Sequence, residues 1–167
     1  GNNTLHNDFS RRILNLKDGP DFPEFDHAVR FFKDAIAKAF PTLESNIWSR
    51  CVLCVVPSHD PSRTLSGMHY LADELVGDGR LDGLGSLLRF KKVSKQADGG
   101  GRGVLRHLES VEVNLNYLPD LERYPVLLLD DVTTTGNSLL ACRKLLLRAG
   151  VRRVVPLALG ETYKYGG

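Results

Sequence analysis

Residues 126–138 read V-L-L-L-D-D-V-T-T-T-G-N-S, and they hold the side chains best suited to chemistry. Two adjacent acids, Asp130 and Asp131, follow an apolar run. Thr133, Thr134, Thr135, Gly136, Asn137 and Ser138 come next, and a helical pattern then begins. Adjacent carboxylates repel each other unless a sugar diol, a metal ion or a basic side chain neutralises them. Hydroxyls and backbone N–H groups at a helix start make a site for phosphate. Gly136 lets the backbone turn and approach a ligand closely. A phosphate and a diol held by one loop describe a ribose 5-phosphate. The plain alternative is a strand followed by a helix cap, which D-D and threonine also serve. The attached T-T-T-G-N-S favours the ligand.

The elements that must position this loop are legible from periodicity. Residues 126–129 are the strongest strand, residues 138–149 read as a helix closed by Gly150, and residues 151–159 return as a strand. Strand, loop, helix and strand at this spacing form a βαβ unit, which builds parallel sheets. Upstream, Phe25, Ala28, Val29, Phe32, Ile36 and Ala39 recur at helical spacing, and Pro41 is expected to end that helix. The valine-rich residues 51–56 read as a buried strand. Ser62 is the expected cap of a second helix facing inward through Leu65, Met68, Leu71 or Ala72, and Leu75. Gly77, Gly79, Gly83 and Gly85 mark a loop, residues 87–90 a strand, and the glycine-rich residues 91–103 a mobile segment. The fold class is α/β, with ligand expected at the carboxyl ends of the strands.

The D-D-V-T-T-T-G-N-S loop resembles the phosphoribosyl pyrophosphate loop of type I phosphoribosyltransferases, and the chain is most similar to their ComF-like, competence-associated branch. The resemblance runs, more loosely, over residues 51–159. It implies a type I phosphoribosyltransferase-like fold: a central, mostly parallel sheet flanked by helices, with a small hood from the N-terminal segment. One domain over residues 1–167 is expected, with an N-terminal helix and hood in 1–50 and a core in 51–160. By the same resemblance, Asp130 and Asp131 hold the ribose hydroxyls, and Thr133, Thr134, Thr135, Gly136, Asn137 and Ser138 wrap the 5-phosphate. Ser58, His59, Arg63 and Arg89 meet the pyrophosphate. Magnesium is expected to travel with phosphoribosyl pyrophosphate, held by substrate oxygens and water rather than by direct protein ligation.

The implied reaction displaces magnesium pyrophosphate from C1 of the ribose by a nitrogen nucleophile. Thr134 stands where the 6-oxopurine enzymes have a third acid, which argues against hypoxanthine or guanine. Orotate enzymes use a loop lysine, and Lys91, Lys92 or Lys95 are the candidates for that place. The acceptor base is unnamed by the sequence. The runner-up function is a regulator that binds phosphoribosyl pyrophosphate or a nucleoside monophosphate without turnover. A ComF-like role in DNA uptake is the third, with the basic residues between Arg89 and Arg106 as its patch. The net charge of +2 counts against nucleic acid. A homodimer is implied by analogy with the family.

The rest of the composition narrows the class. With 42% hydrophobic and 25% charged residues, the chain has the balance of a globular protein rather than a disordered one. No apolar run approaches the ~20 residues that span a bilayer, so a soluble, cytoplasmic protein is expected. Three cysteines do not make a disulfide framework. The Cys51-x-x-Cys54 spacing lies in a strand, where positions three apart face opposite ways, so neither zinc nor redox chemistry is expected there. Cys142 is expected in the core, and Trp48 as a packing anchor.

Overall fold

The computed structural model describes residues 3–93, 101–133 and 135–161. Helices α1 (Asn3–Asp18) and α2 (Phe25–Leu43) come first, then a single turn, α3 (Ser45–Trp48), and strand β1 (Cys51–Val55). Next come α4 (Gly67–Asp73), β2 (Arg80–Asp82), β3 (Leu87–Arg89), α5 (Gly101–Leu108) and β4 (Val111–Val113). A 3-10 turn at Leu115–Tyr117 leads into α6 (Leu118–Arg123), β5 (Val126–Thr133), α7 (Asn137–Arg148) and β6 (Val154–Glu161). Four strands form a parallel sheet in the order β2-β1-β5-β6, flanked by helices. Strands β3 and β4 form a separate antiparallel pair.

The sheet is buried on both faces, which is why β1 and the start of β5 are continuous apolar runs. Cys51, Leu53, Val55, Leu127 and Leu129 face one core, shared with α1, α2 and α4. Val52, Cys54, Val126 and Leu128 face the other, with Leu121 of α6 and Cys142 and Leu146 of α7. Cys51 and Cys54 thus lie on opposite faces of the sheet. Trp48 packs against Phe40 at 5.7 Å and under the Arg80 guanidinium at 4.2 Å.

Several local expectations are corrected. Pro41 does not end its helix: α2 continues to Leu43, because a proline in the last turn removes only its own N–H bond while Glu44 still donates to Phe40. The inward residue there is Phe40, not Ala39. Ser62 caps no helix. The Asp60 carboxylate accepts both its N–H (3.0 Å) and its hydroxyl (2.7 Å), which holds it in a turn. The cap is Ser66, whose N–H donates to His69 Nδ1 at 3.1 Å, and Leu65 is 61% exposed. The glycine-marked loop contains the edge strand β2. The segment read as mobile ends in α5, which begins at Gly101, and residues 94–100 lie outside the described residues.

Helix α1 was not anticipated. Its inward Ile13 and Leu16 join the first core. A Cβ at Gly67 would fall 1.9 Å from the Leu16 carbonyl oxygen, so the end of α1 sits directly on the start of α4. Gly67→Ala is therefore expected to destabilise the protein by about 2–3 kcal/mol, since backbone must move. Denaturant unfolding would measure it, and unchanged stability would mean that α1 is not held so closely. Among the described residues, no helix is long and apolar enough to cross a membrane.

Candidate ligand site at the β1–β5 crevice

Strand β1 is followed by α4 on one face of the sheet, and β5 by α7 on the other. The two strands are neighbours, so the chain's direction of winding reverses between them, and such a crevice is where open α/β sheets bind ligands. The register sharpens the point. The last β1–β5 pair is Val55 with Leu129, whereas β5 runs on beside β6 through Asp130, Val132 and Thr133. The acids do not follow the strand, as the sequence had them; they are inside it. One edge of β5 is left open at Asp130, and this opening forms a pocket of about 470 Å³.

Asp130, Asp131, Thr133, Thr135, Gly136, Asn137 and Ser138 line this pocket together with Ser58, His59, Arg63 and Arg89. Eleven of the residues singled out from three separate stretches of sequence are thus brought to one place. Thr134 and Lys95 lie outside the described residues. Lys91 and Lys92 are exposed and do not line the pocket, and Lys92 pairs with Asp60 at 3.6 Å.

The phosphate-suited end of the pocket is built by Gly136, which holds a left-handed φ of 73° as the residue before α7. Only glycine adopts that turn readily, and it brings the start of a twelve-residue helix, Asn137 and Ser138, to the pocket wall, where the Asn137 N–H donates to Thr135 Oγ1 at 3.4 Å. Asp130 is 9% exposed, with burial first and the neighbouring Asp131 second pushing its carboxyl up to about 7. Its Oδ1 accepts the Asp131 N–H at 2.8 Å, and Ser138 donates to its Oδ2 at 3.4 Å.

Arg89, 9% exposed, lines the same pocket. Its guanidinium donates to the Ser58 carbonyl (2.6 Å), to Ser110 Oγ (2.5 Å) and to His107 Nδ1 (3.3 Å). These partners are uncharged, because burial and the Arg89 charge hold His107 below the ordinary histidine range. A buried cation with neutral partners keeps its charge available to an anion in the pocket.

Sequence reasoning missed Leu16, Lys17 and His107, which also line the pocket, together with Ser66, Gly67, Met68 and Gly103. Lys17 Nζ lies 3.4 Å from Asp131 Oδ2. A basic side chain does neutralise the acid pair, but no local signal links α1 to β5. Arg106, noticed only as part of a basic stretch, lines the pocket as well. No protein-family model matches the chain, and no curated protein matches it.

Proposed function

We propose that the protein is phosphoribosyltransferase-like: it binds magnesium phosphoribosyl pyrophosphate and transfers the phosphoribosyl group to a nitrogen acceptor, releasing pyrophosphate. The observation that carries this reading is the meeting, in one pocket, of adjacent carboxylates, a helix start and a buried guanidinium. The carboxylates accept hydroxyl donors of the ribose, the Gly136–Ser138 turn takes the 5-phosphate, and Arg89 and Arg63 neutralise pyrophosphate. Little covalent chemistry is asked of such a protein, whose work is orientation and charge stabilisation. The parallel sheet and its crevice fit the type I phosphoribosyltransferase fold, and α1, which supplies Leu16 and Lys17, takes the place of the hood.

Magnesium, when bound with the substrate, supplies charge neutralisation of the leaving pyrophosphate. Among the described residues, no group of three His, Cys, Asp or Glu side chains is placed to cage a metal.

Calorimetric titration with phosphoribosyl pyrophosphate and magnesium tests the site. Binding is expected for the wild type and should be lost in the folded Asp130→Asn/Asp131→Asn variant. A folded wild type that shows no binding heat would overturn the reading. Pyrophosphate release in a screen of acceptor bases then tests turnover. A regulator that binds the same compound without turnover is the second reading, favoured by the placement of Lys91 and Lys92 outside the pocket.

A further inference from the structure

Each carboxylate oxygen of the acid pair already has a donor. Asp130 Oδ1 accepts from the Asp131 N–H at 2.8 Å and Asp130 Oδ2 from Ser138 at 3.4 Å. Asp131 Oδ1 accepts from the Val132 N–H at 2.5 Å, and Oδ2 faces Lys17 Nζ at 3.4 Å. Of these donors only Lys17 carries a full positive charge. It belongs to the last turn of α1, beside the buried Leu16 whose carbonyl fills the space over Gly67. The ammonium is therefore delivered by a seated helix rather than by a loose tail, and it lines the pocket.

We propose that Lys17 is a positioning residue of this site: its ammonium is the counter-ion that lets both carboxylates of the pair accept hydroxyl donors from a ligand. The ligand half of the proposal rests on the sugar-phosphate reading above; the charge half can be measured without any ligand. A carboxylate oxygen has a second lone pair, so hydroxyls add beside Lys17 rather than displace it.

Among the described residues, the other groups around the pair do not supply this charge. From α7 come Ser138 and Cys142, whose thiol burial pushes up to about 12 and so keeps neutral. Strand β6 places Ala158 and Gly160 alongside, with Glu161 opposite Thr133. Arg63, Arg89, Arg106, His59 and His107 line the same pocket, and among the described residues Lys17 is the cation within ion-pair distance of Asp131, at 3.4 Å. Lys17 also acts in the required direction, opposing the burial and the Asp131 charge that favour a protonated Asp130.

The test uses the full chain with Lys17→Met and Lys17→Arg. The Asp130 carboxyl is titrated by carbon-13 NMR, and ribose 5-phosphate is titrated by calorimetry near pH ~6.5 and ~8.5. Lys17→Met is expected to move the Asp130 midpoint up by about half a pH unit, a modest shift because the pair is partly solvated. It should weaken ribose 5-phosphate roughly 2- to 3-fold at the lower pH and hardly at all at the higher, as expected for an ionisation shifted by about half a unit. The probe's own titration is common to all the proteins and cancels in their ratio. Lys17→Arg should restore both readouts. An unmoved midpoint in folded Lys17→Met overturns the proposal, and so does tighter binding at both pH values, which would make Lys17 a competitor. A moved midpoint, with ribose 5-phosphate bound by no variant and not by the wild type, supports the counter-ion and overturns the sugar-phosphate reading instead.

Discussion

Asp130→Asn is expected to make the protein more stable at pH ~8 while abolishing ligand binding. Asparagine has the same shape, and its amide keeps both neighbours: the oxygen still accepts from the Asp131 N–H, and the amide N–H₂ meets the Ser138 hydroxyl. What disappears is a buried negative charge beside a second one. The folded protein holds the Asp130 proton up to about 7, against 3.8 as the ordinary value. Stability from that proton is complete below the unfolded value and is lost as the pH rises through the folded one. Above neutrality the native state therefore carries an anion that burial disfavours. Removing it should add about 2–4 kcal/mol, or a rise in Tm of roughly 5–10 °C. The gain should shrink steadily between pH ~8 and ~4. Ribose-phosphate affinity should fall by about 100-fold or more, since hydroxyls lose a charged acceptor. Thermal melts across pH, paired with calorimetry, measure both. A variant less stable than wild type at the higher pH would show that Asp130 is held for the fold and not for a ligand.

Arg89→Met is expected to do the reverse in stability and the same in binding. The guanidinium ties β3 to the loop after β1 through the Ser58 carbonyl, and to the β4 side through Ser110 and His107. Methionine keeps the apolar stem but leaves the Ser58 carbonyl and the His107 ring nitrogen without this donor. Both groups are half-buried, so stranding each costs about 1–2 kcal/mol, and a loss of roughly 2–4 kcal/mol is expected in denaturant unfolding. Lysine has a single charged centre and cannot reach three acceptors in a fork, so Arg89→Lys should recover only part. Binding of pyrophosphate or phosphoribosyl pyrophosphate, measured where each variant is folded, should fall about 10- to 100-fold as the cation facing the pocket is lost. Wild-type affinity in folded Arg89→Met would remove Arg89 from the anion site and leave it a structural clamp.

Local pattern carried the sheet. Continuous apolar runs mark β1 and β5 because both faces of these strands are buried, and the βαβ order around α7 dictates a parallel pair. The caps were less legible. Ser62 and Ser66 are both sound cap residues, and the choice between them was made by Asp60, which captures Ser62, and by His69, which receives Ser66. Helix α1 and strand β2 escaped for a different reason. The first is polar along most of its length and the second is a three-residue edge, so neither has a run long enough to outweigh its glycines and charges.

The sequence by itself determined the α/β class, the D-D-V-T-T-T-G-N-S loop and the chemistry that such a loop suits, because a strand, a left-handed glycine and a helix start are set by neighbours. Only the tertiary structure decided that Asp130 lies inside β5 at an open edge, because that depends on where β1 stops. It also decided that Arg89 is buried among neutral partners and that Lys17 is the ammonium at the acid pair. Charges distant in the chain interact through space, and their distances are fixed by packing, which a linear pattern does not encode.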